Sequence, residues 1–231
     1  MLKLTIGNKN YSSWSMRPWV LLRHFQIPFE EVMLRFDGFE PGSKFKQAVT
    51  QLSPVGKVPV LVHGDLVVWD TLAIAEYAAE YAAEHFPEHA LWPRDQAQRA
   101  RARSLCAEMH AGFGALRGAC PMNIEASLPE VGQRVLAEQP AVAADLARIV
   151  AMWQAALAAS GGPFLFGGFS IVDAYYAPVA ARLRTYALPV PPAVAGYLDR
   201  LWASPGVAAW VQEALAEREY LAFEEPYRPS R

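Results

Sequence analysis

The architecture of this chain follows from one stretch, Ser53-Pro-Val-Gly-Lys-Val-Pro-Val-Leu-Val-His-Gly-Asp-Leu-Val-Val-Trp-Asp-Thr-Leu-Ala-Ile-Ala-Glu-Tyr77. Two short apolar runs, Val60–Val62 and Leu66–Val68, predict neighbouring buried strands, because the glycine in the intervening segment 63–65 is typical of a hairpin connection. Asp70-Thr71 then predicts the start of a helix, since apolar side chains recur behind it at helical spacing. The stretch therefore predicts a strand, a hairpin, a second strand and a helix.

Pro59 stands at the entrance to the first of these strands. A proline has no N–H, so in this position it costs one hydrogen bond of the sheet. The bond before it is either trans, with the proline opening an edge strand, or cis, which turns the amide of Val58 outward as an edge on which a peptide can dock. The local sequence leaves both isomers open.

Composition narrows the classes to which the protein can belong. The chain has 231 residues, of which 53% are hydrophobic, and this is enough for a core in one large domain or two small ones. A net charge of -2 gives no electrostatic footprint for nucleic acid or an anionic membrane. We find no run of ~18 apolar residues and therefore predict no transmembrane helix.

The cellular location is predicted from the first residues and the cysteines. Residues 1–6 are too short and too interrupted for a signal peptide and are typical of a strand. Cys106 and Cys120 are the only cysteines, and their spacing is that of neither a metal site nor a Cys-x-x-Cys motif. We expect a reducing cytoplasm and no metal.

The sequence pattern changes along the chain and divides it into two predicted domains. Strand and helix patterns alternate over residues 1–85, which predicts an α/β domain. Residues 86–94 contain two prolines and no periodicity, which predicts a linker. The following residues, rich in alanine, leucine and arginine, predict an all-helical domain over 95–231. The other predicted elements are strands at Leu2–Ile6 and Phe29–Leu34 and helices at Met16–Phe25, Lys44–Thr50, Asp95–Leu116, Glu130–Ala159, Ile171–Tyr186, Ala193–Trp202 and Val207–Glu217.

The first loop is rich in serine. Pro18 is tolerated in the first turn of a helix but not in its interior, so we predict that Ser15 caps the helix over Met16–Phe25. Ser12 and Ser13 then lie just ahead of the helix N-terminus, where free amides and the helix dipole favour an anion. The alternative is that all three serines are only caps and turn formers.

Three segments together resemble the glutathione S-transferase family. Gly56–Leu61, with the hairpin and helix start that follow it, resembles the glutathione-site half of the family's thioredoxin-like domain, which has a cis-proline at this point. Ser12–Arg17, Ser-Ser-Trp-Ser-Met-Arg, resembles the Ser-Ser-Cys-Ser-x-Arg segment of the zeta class. Phe169–Ala174 resembles the helix-capping motif of the C-terminal domain. The resemblance implies a thioredoxin-like domain, an all-helical domain after it and glutathione as co-substrate.

The resemblance also implies a serine that activates the glutathione thiol. In the serine and cysteine classes the active residue stands five positions before the arginine, so Arg17 points to Ser12, with Ser13 as supporting donor or alternative. A hydroxyl that donates to sulfur stabilises the thiolate by ~1.5–3 kcal/mol, and with the helix dipole it lowers the thiol pKa by roughly 1.5 to 2.5 units. Trp14 replaces the cysteine of the zeta pattern, which puts the zeta isomerase activity in doubt.

Glutathione itself has implied anchors in the central stretch. The backbone of Val58, held by Pro59, would pair with the cysteinyl unit as a short added strand. Thr71 would hold the γ-glutamyl carboxylate at a helix N-terminus, with Asp70 taking the ammonium. Lys57 would meet the glycyl carboxylate. The alternatives are that Asp70 and Thr71 form an ordinary helix cap and that Lys57 is a solvated surface lysine.

The all-helical domain is expected to form the pocket for the second substrate, a half-apolar pocket over the sulfur that suits an electrophile with a polar handle. His110, Phe113 and Arg117 are spaced i, i+3, i+7 and would share one face of the helix predicted over Asp95–Leu116. Alternatively, His110 only forms a hydrogen bond between helices. The predicted pocket residues are Tyr11, Trp14, Met109, His110, Phe113 and Arg117.

A capping box precedes the most apolar helix of the chain. Ser170 is spaced to cap this helix and Asp173 to reach back to it. We interpret the pair as a determinant of the fold without a catalytic part.

The leading hypothesis for function is a glutathione S-transferase that attacks a small electrophilic substrate. One alternative is a glutathione-dependent cis–trans isomerase resembling the maleylacetoacetate isomerases of the zeta class. Another is a non-catalytic glutathione-binding or interaction module. The resemblance further implies a homodimer, in which the helix after Asp70 in one subunit faces the helical domain of the other.

Overall fold

The computed structural model of the protein describes all residues from 1 to 231. Its strands are β1 (Leu2–Ile6), β2 (Phe29–Met33), β3 (Val60–His63) and β4 (Leu66–Trp69), and they form one mixed sheet in the order β2-β1-β3-β4. β1 pairs parallel with β2 and antiparallel with β3, which pairs antiparallel with β4. In this register Leu4 of β1 lies between Glu31 of β2 and Leu61 of β3.

Helices flank the sheet and make up the whole second part of the chain. The helices of the first part are α1 (Ser13–His24), α2 (Lys44–Leu52) and α3 (Thr71–His85). Those of the second part are α4 (Gln96–Ala111), α5 (Gly114–Ala119), α6 (Pro129–Glu138), α7 (Pro140–Ser160), α8 (Ile171–Thr185), α9 (Pro192–Trp202) and α10 (Pro205–Glu217). The predicted fold class, a thioredoxin-like α/β domain followed by an all-helical domain, is confirmed.

The central stretch adopts the predicted order of elements. The Val58–Pro59 bond is cis, as expected. The hairpin turn is one residue shorter than predicted, because His63 still belongs to β3 and only Gly64 and Asp65 form the turn. Gly64 has a φ of 60°, which a residue without a side chain adopts at little cost.

The start of α1 was predicted wrongly. The helix begins at Ser13 with Ser12 as its N-cap, not after Ser15, so Pro18 lies in the helix interior. Pro18 has no N–H to donate to the carbonyl of Trp14, yet the helix continues. Tertiary packing outweighs this lost bond, since the residues of α1 from Ser15 to Leu22 are all buried.

Two predicted long helices are each broken in two. The helix predicted over Asp95–Leu116 ends at Ala111, because Gly112 is extended and Phe113 takes a left-handed conformation with a φ of 56°. The helix predicted over Glu130–Ala159 breaks at Gln139. There the next residue is a proline, which disfavours a helical conformation of the residue before it.

The chain has no run of ~18 apolar residues, as stated above, but one helix comes near a membrane span in composition. α7 has the length and the mean hydropathy, 1.4 over an 18-residue window, of a helix that could cross a bilayer. Asp145 and Arg148 interrupt the apolar runs of α7. The mean hydropathy of the window stays high because many of its other residues are alanines. Length and composition alone are weak evidence, and one face of α7, including Ile149 and Trp153, is buried in the core of the domain.

α1 lies between the sheet and the helical domain, and one hydrophobic cluster runs through both. A Cβ atom on Gly206 at the start of α10 would lie 2.4 Å from the carbonyl oxygen of Val20, so α10 approaches α1 at a distance that only glycine permits. The rings of Trp19 and Trp210 meet edge to face at 5.3 Å beside this contact. The C-terminal half of α1 is therefore packed closely against α10 of the helical domain.

Candidate functional site

Two adjoining cavities open at the N-terminus of α1. The first encloses about 380 Å³ and the second about 390 Å³. Both are bordered by Trp14, Lys57, Val58 and Arg117. The first also borders Ser12 and Ser13, and the second borders Pro59, Asp70, Thr71 and His110. The cavities thus bring together most of the site residues that the sequence predicts.

Ser12 is held at the wall of the first cavity by a chain of hydrogen bonds. Its side chain does not cap α1; instead its hydroxyl donates to Ser15 Oγ at 2.7 Å. Ser15 Oγ also accepts from the amide of Gly7 at 3.2 Å, and Ser15 is fully buried. Ser13 borders the same cavity, but its hydroxyl makes no hydrogen bond within the protein. Of the two candidates, Ser12 is therefore the one whose hydroxyl has a fixed position.

Asp70 and Thr71 form the start of α3 at the second cavity. Asp70 is the N-cap, and its Oδ1 accepts from the amide of Leu72 at 3.0 Å. Asp70 has a φ of 74°, which is uncommon for a residue with a side chain. Thr71 is buried, and its hydroxyl lies 2.8 Å from the hydroxyl of Tyr175. The backbone amide of Thr71 remains a free donor at the helix N-terminus.

A chain of polar contacts links Asp70 to Thr71 through His110 and Tyr175. Asp70 Oδ2 lies 3.2 Å from His110 Nε2. The other ring nitrogen of His110 lies 2.8 Å from the hydroxyl of Tyr175, which in turn contacts Thr71. His110 thus forms the inter-element hydrogen bonds that were its alternative interpretation, and it also borders the second cavity. Burial raises the pKa of Tyr175 to about 12, so its hydroxyl stays protonated at neutral pH.

Arg17 lies behind these groups between two aromatic rings. Its guanidinium carbon is 4.0 Å from the ring centre of Trp14 and 4.6 Å from that of Tyr175. Arg17 Nε donates to the carbonyl of Tyr175 at 3.1 Å. Burial lowers the pKa of Arg17 to about 10, so the side chain is still charged at neutral pH. Arg17 fixes Trp14 at the junction of the two cavities.

Two lysines border the predicted position of the glycyl end. Lys57 lies at both cavities, is exposed and makes no hydrogen bond within the protein. Lys46, which the sequence analysis missed, borders the first cavity, and its ammonium donates to the carbonyl of Gly56 at 2.6 Å. This contact supports the loop that carries Lys57 and Val58.

Two of the residues predicted for the second-substrate pocket lie away from both cavities. Arg117 borders both cavities, but Met109 and Phe113 are buried in the core and border neither. The break at Gly112 and Phe113 accounts for Phe113, because it ends the helical spacing that His110, Phe113 and Arg117 were predicted to share. Met109 lies before the break, on the buried side of α4. His110 and Arg117 reach the site from two different helices.

The first cavity has walls that the sequence did not reveal. Three aromatic rings from the segment after β2 form one side: Phe36, Phe39 and Phe45. Tyr11 lies beside them as predicted, and its hydroxyl donates to Glu225 at 2.7 Å. Burial raises the pKa of Tyr11 to about 12, so it is a poor acid and serves as a wall. Arg182 from α8 and Glu224 from the C-terminal segment complete this cavity.

Two protein-family models match the chain, one after the other. Residues 11–80 match the glutathione S-transferase N-terminal domain. Residues 96–213 match the glutathione S-transferase C-terminal domain. The two matches lie on either side of the segment that joins α3 to α4.

Solved structures resemble the chain over nearly its whole length. A glutathione transferase homologue from Burkholderia gl BGR1 with bound glutathione is 24% identical, with a TM-score of 0.69 over 93% of this chain and 98% of that one. A tau class glutathione S-transferase from mango, Mangifera indica, is 24% identical, with a TM-score of 0.66 over 94% and 96%. Ure2p in complex with glutathione is 13% identical, with a TM-score of 0.69 over 91% and 94%. At these identities the likeness shows the fold.

Proposed function

The chain belongs to the glutathione S-transferase family, and from that premise we propose that it binds glutathione and activates its thiol through Ser12 for attack on a small electrophile. The observation that carries this proposal is the position of the Ser12 hydroxyl. It lies at the wall of the first cavity, is held by Ser15, and shares that cavity with the exposed edge of Val58. Glutathione is also bound in solved structures with the same fold.

The tripeptide fits the second cavity and its junction with the first. The Val58 backbone pairs with the cysteinyl unit, which brings the sulfur toward Ser12. The γ-glutamyl carboxylate meets the free amide of Thr71, because the Thr71 hydroxyl is already engaged with Tyr175. Asp70, half-exposed at the cavity, takes the ammonium. The glycyl carboxylate reaches Lys57.

The serine pair stabilises the thiolate without a general base. Hydroxyl hydrogens rotate, so Ser15 can donate to Ser12 Oγ while it accepts from the Gly7 amide, and this frees the Ser12 hydrogen for the sulfur. One such charge-assisted bond contributes ~1.5–3 kcal/mol. The thiol proton leaves to solvent. The thiolate then attacks the electrophilic carbon, the C–S bond forms, and the leaving group departs with its electron pair.

We expect the purified protein to conjugate glutathione to chlorodinitrobenzene with release of one chloride per conjugate. The bound thiol should have a pKa about 1.5 to 2.5 units below that of free glutathione, because Ser12 and the dipole of α1 favour the thiolate. Ultraviolet absorbance of the thiolate measures this pKa.

The same experiment separates the other candidates. A non-catalytic module would bind glutathione without lowering the pKa of its thiol. An isomerase would return glutathione unchanged with a cis-enone substrate, and conjugation would then be the minor reaction.

We further propose a homodimer in which α3 of one subunit faces the helical domain of the other. In support, Leu66 and Trp69 on the edge strand β4 are 47% and 40% exposed beside the start of α3, and a partner subunit would cover them. Sedimentation should show a dimer at micromolar concentration, and Trp69→Glu should shift it toward monomer because the charge would be buried in the interface. A stable wild-type monomer would contradict the proposal.

Both cysteines support the proposal of a reducing cytoplasm. Cys106 and Cys120 are free thiols. Both are buried, and burial raises the pKa of each thiol, so neither is a reactive thiolate. Disulfides are rare in such a compartment.

A further inference from the structure

Three arginines gather on the helical side of the first cavity. Arg182 of α8 and Arg117 of α5 line the cavity itself. Arg17 lies behind Trp14, whose ring has Arg17 at 4.0 Å and Arg117 at 5.6 Å. The three charges act on one another, since the charge of Arg117 lowers the pKa of both Arg17 and Arg182, after burial as the main cause. Like charges that are held close together destabilise the folded protein unless an anion compensates them.

The protein supplies no such anion. None of the three arginines forms an ion pair with a carboxylate of the chain. Their hydrogen bonds go to backbone carbonyls alone: Arg17 to Tyr175, Arg117 to Gly112, and Arg182 to Cys120 and Pro178. Both terminal nitrogens of Arg17 are buried without any partner. Arg17 is covered by the rings of Trp14 and Tyr175 and does not line the cavity. Arg117 and Arg182 do line it and have no carboxylate partner, although buried arginines are ordinarily paired, so these two are free to bind an anion there.

The one carboxylate that borders the first cavity does not fill this role. Glu224 lies in the C-terminal segment, and burial raises its pKa to about 7, so it is only partly ionised at neutral pH. Lys46 and Lys57 add two further positive charges to the same cavity. The cavity is thus cationic on balance, although its opposite wall is aromatic.

We infer that the first cavity selects electrophiles that carry a carboxylate, which Arg117 and Arg182 bind while the apolar part of the molecule lies against the aromatic wall. The inference rests on the proposed function, because it concerns the second substrate of the same site. The carboxylates of glutathione have other partners in that proposal, namely the Thr71 amide and Lys57. Planar guanidinium groups suit a carboxylate because they can donate two parallel hydrogen bonds to it.

Binding of two matched glutathione conjugates tests the inference without requiring turnover. S-(para-carboxybenzyl)glutathione and S-(para-carbamoylbenzyl)glutathione have nearly the same shape and differ by one charge. Calorimetry on the full-length wild-type protein should give a dissociation constant about 10-fold or more lower for the carboxylate, the usual advantage of a charge-assisted hydrogen bond. Equal affinity of the two conjugates would overturn the inference.

Variants identify the arginine responsible. Arg117→Gln should reduce the ratio of the two dissociation constants about 5-fold or more and leave the affinity for glutathione itself within about twofold of wild type. Arg101→Gln removes the same charge from the exposed surface of α4 and should leave the ratio unchanged. A similar loss for both conjugates and for glutathione in Arg117→Gln would overturn the inference, because Arg117 would then serve the tripeptide.

The same titrations distinguish a failure of the carboxylate preference from a failure of the proposed function. If glutathione binds and the two conjugates bind equally, only the carboxylate preference is wrong. If neither glutathione nor either conjugate binds, the proposed function and the inference both fail. Arg182 is not substituted because its guanidinium also supports the backbone carbonyls of Cys120 and Pro178, and its removal would confuse binding with folding.

Discussion

Replacing Ser12 by alanine is expected to lower turnover near neutral pH by roughly 10- to 100-fold and to leave glutathione affinity nearly unchanged. The loss corresponds to one charge-assisted hydrogen bond to the sulfur. Affinity should be retained because, in the proposed binding mode, Val58, Thr71 and Lys57 contact the tripeptide away from the thiol. Steady-state kinetics with saturating glutathione, together with calorimetry of glutathione binding, measure the two quantities separately.

Ser13→Ala is the matched control for this variant. Ser13 borders the same cavity but lacks the support that Ser15 gives to Ser12, so its loss should reduce turnover much less. Turnover of Ser12→Ala should partly recover in more alkaline buffer, because higher pH replaces the missing stabilisation of the thiolate. A large loss in Ser13→Ala and a small one in Ser12→Ala would reverse the assignment.

Replacing Asp173 by alanine is expected to lower the free energy of unfolding by about 3–5 kcal/mol, the largest effect on stability that we predict. Asp173 is fully buried, and four donors converge on its carboxylate. They are the amides of Leu165 and Ser170 and the hydroxyls of Ser170 and Tyr197, at 2.9 to 3.2 Å. Alanine would leave all four without a partner in the core, which costs more than the loss of an ordinary helix cap.

Chemical denaturation followed by circular dichroism measures this effect. Ser170→Ala is the control, since it removes one of the four donors and should cost only about 1–2 kcal/mol. Glutathione affinity of the folded fraction should not change in either variant. A collapse of affinity at unchanged stability would show that the capping box belongs to the binding site.

Local signals explain what the sequence predicted well. The unit from β3 to α3 was predicted because its strands, its turn glycine and its helix cap are all contained in one stretch of chain. The capping box of Ser170 and Asp173 is confirmed for the same reason, since its partners are three residues apart. The local sequence left the isomer of the bond before Pro59 open, and the cis form was predicted from the resemblance to the family.

Contacts between residues that are distant in sequence explain the features that the sequence did not predict. Thr71 meets Tyr175 across 104 residues, and no local pattern marks a tyrosine in an apolar helix as part of a site. Arg182 was missed likewise, because it comes from α8 and reaches the cavity only in the folded chain. α1 starts earlier than its proline suggested, because the packing of a buried helix overrides local propensity.

Titration of the bound glutathione thiol in wild type, Ser12→Ala and Ser13→Ala is the most direct test of serine activation. We predict that the pKa of the bound thiol rises by about 1 to 2 units in Ser12→Ala and stays close to the wild-type value in Ser13→Ala, since one hydrogen bond to the thiolate is lost only in the former. An unchanged pKa in Ser12→Ala would contradict the proposal. A rise in Ser13→Ala instead would assign the role to Ser13, and no rise in either variant would leave the activation to backbone amides and the dipole of α1.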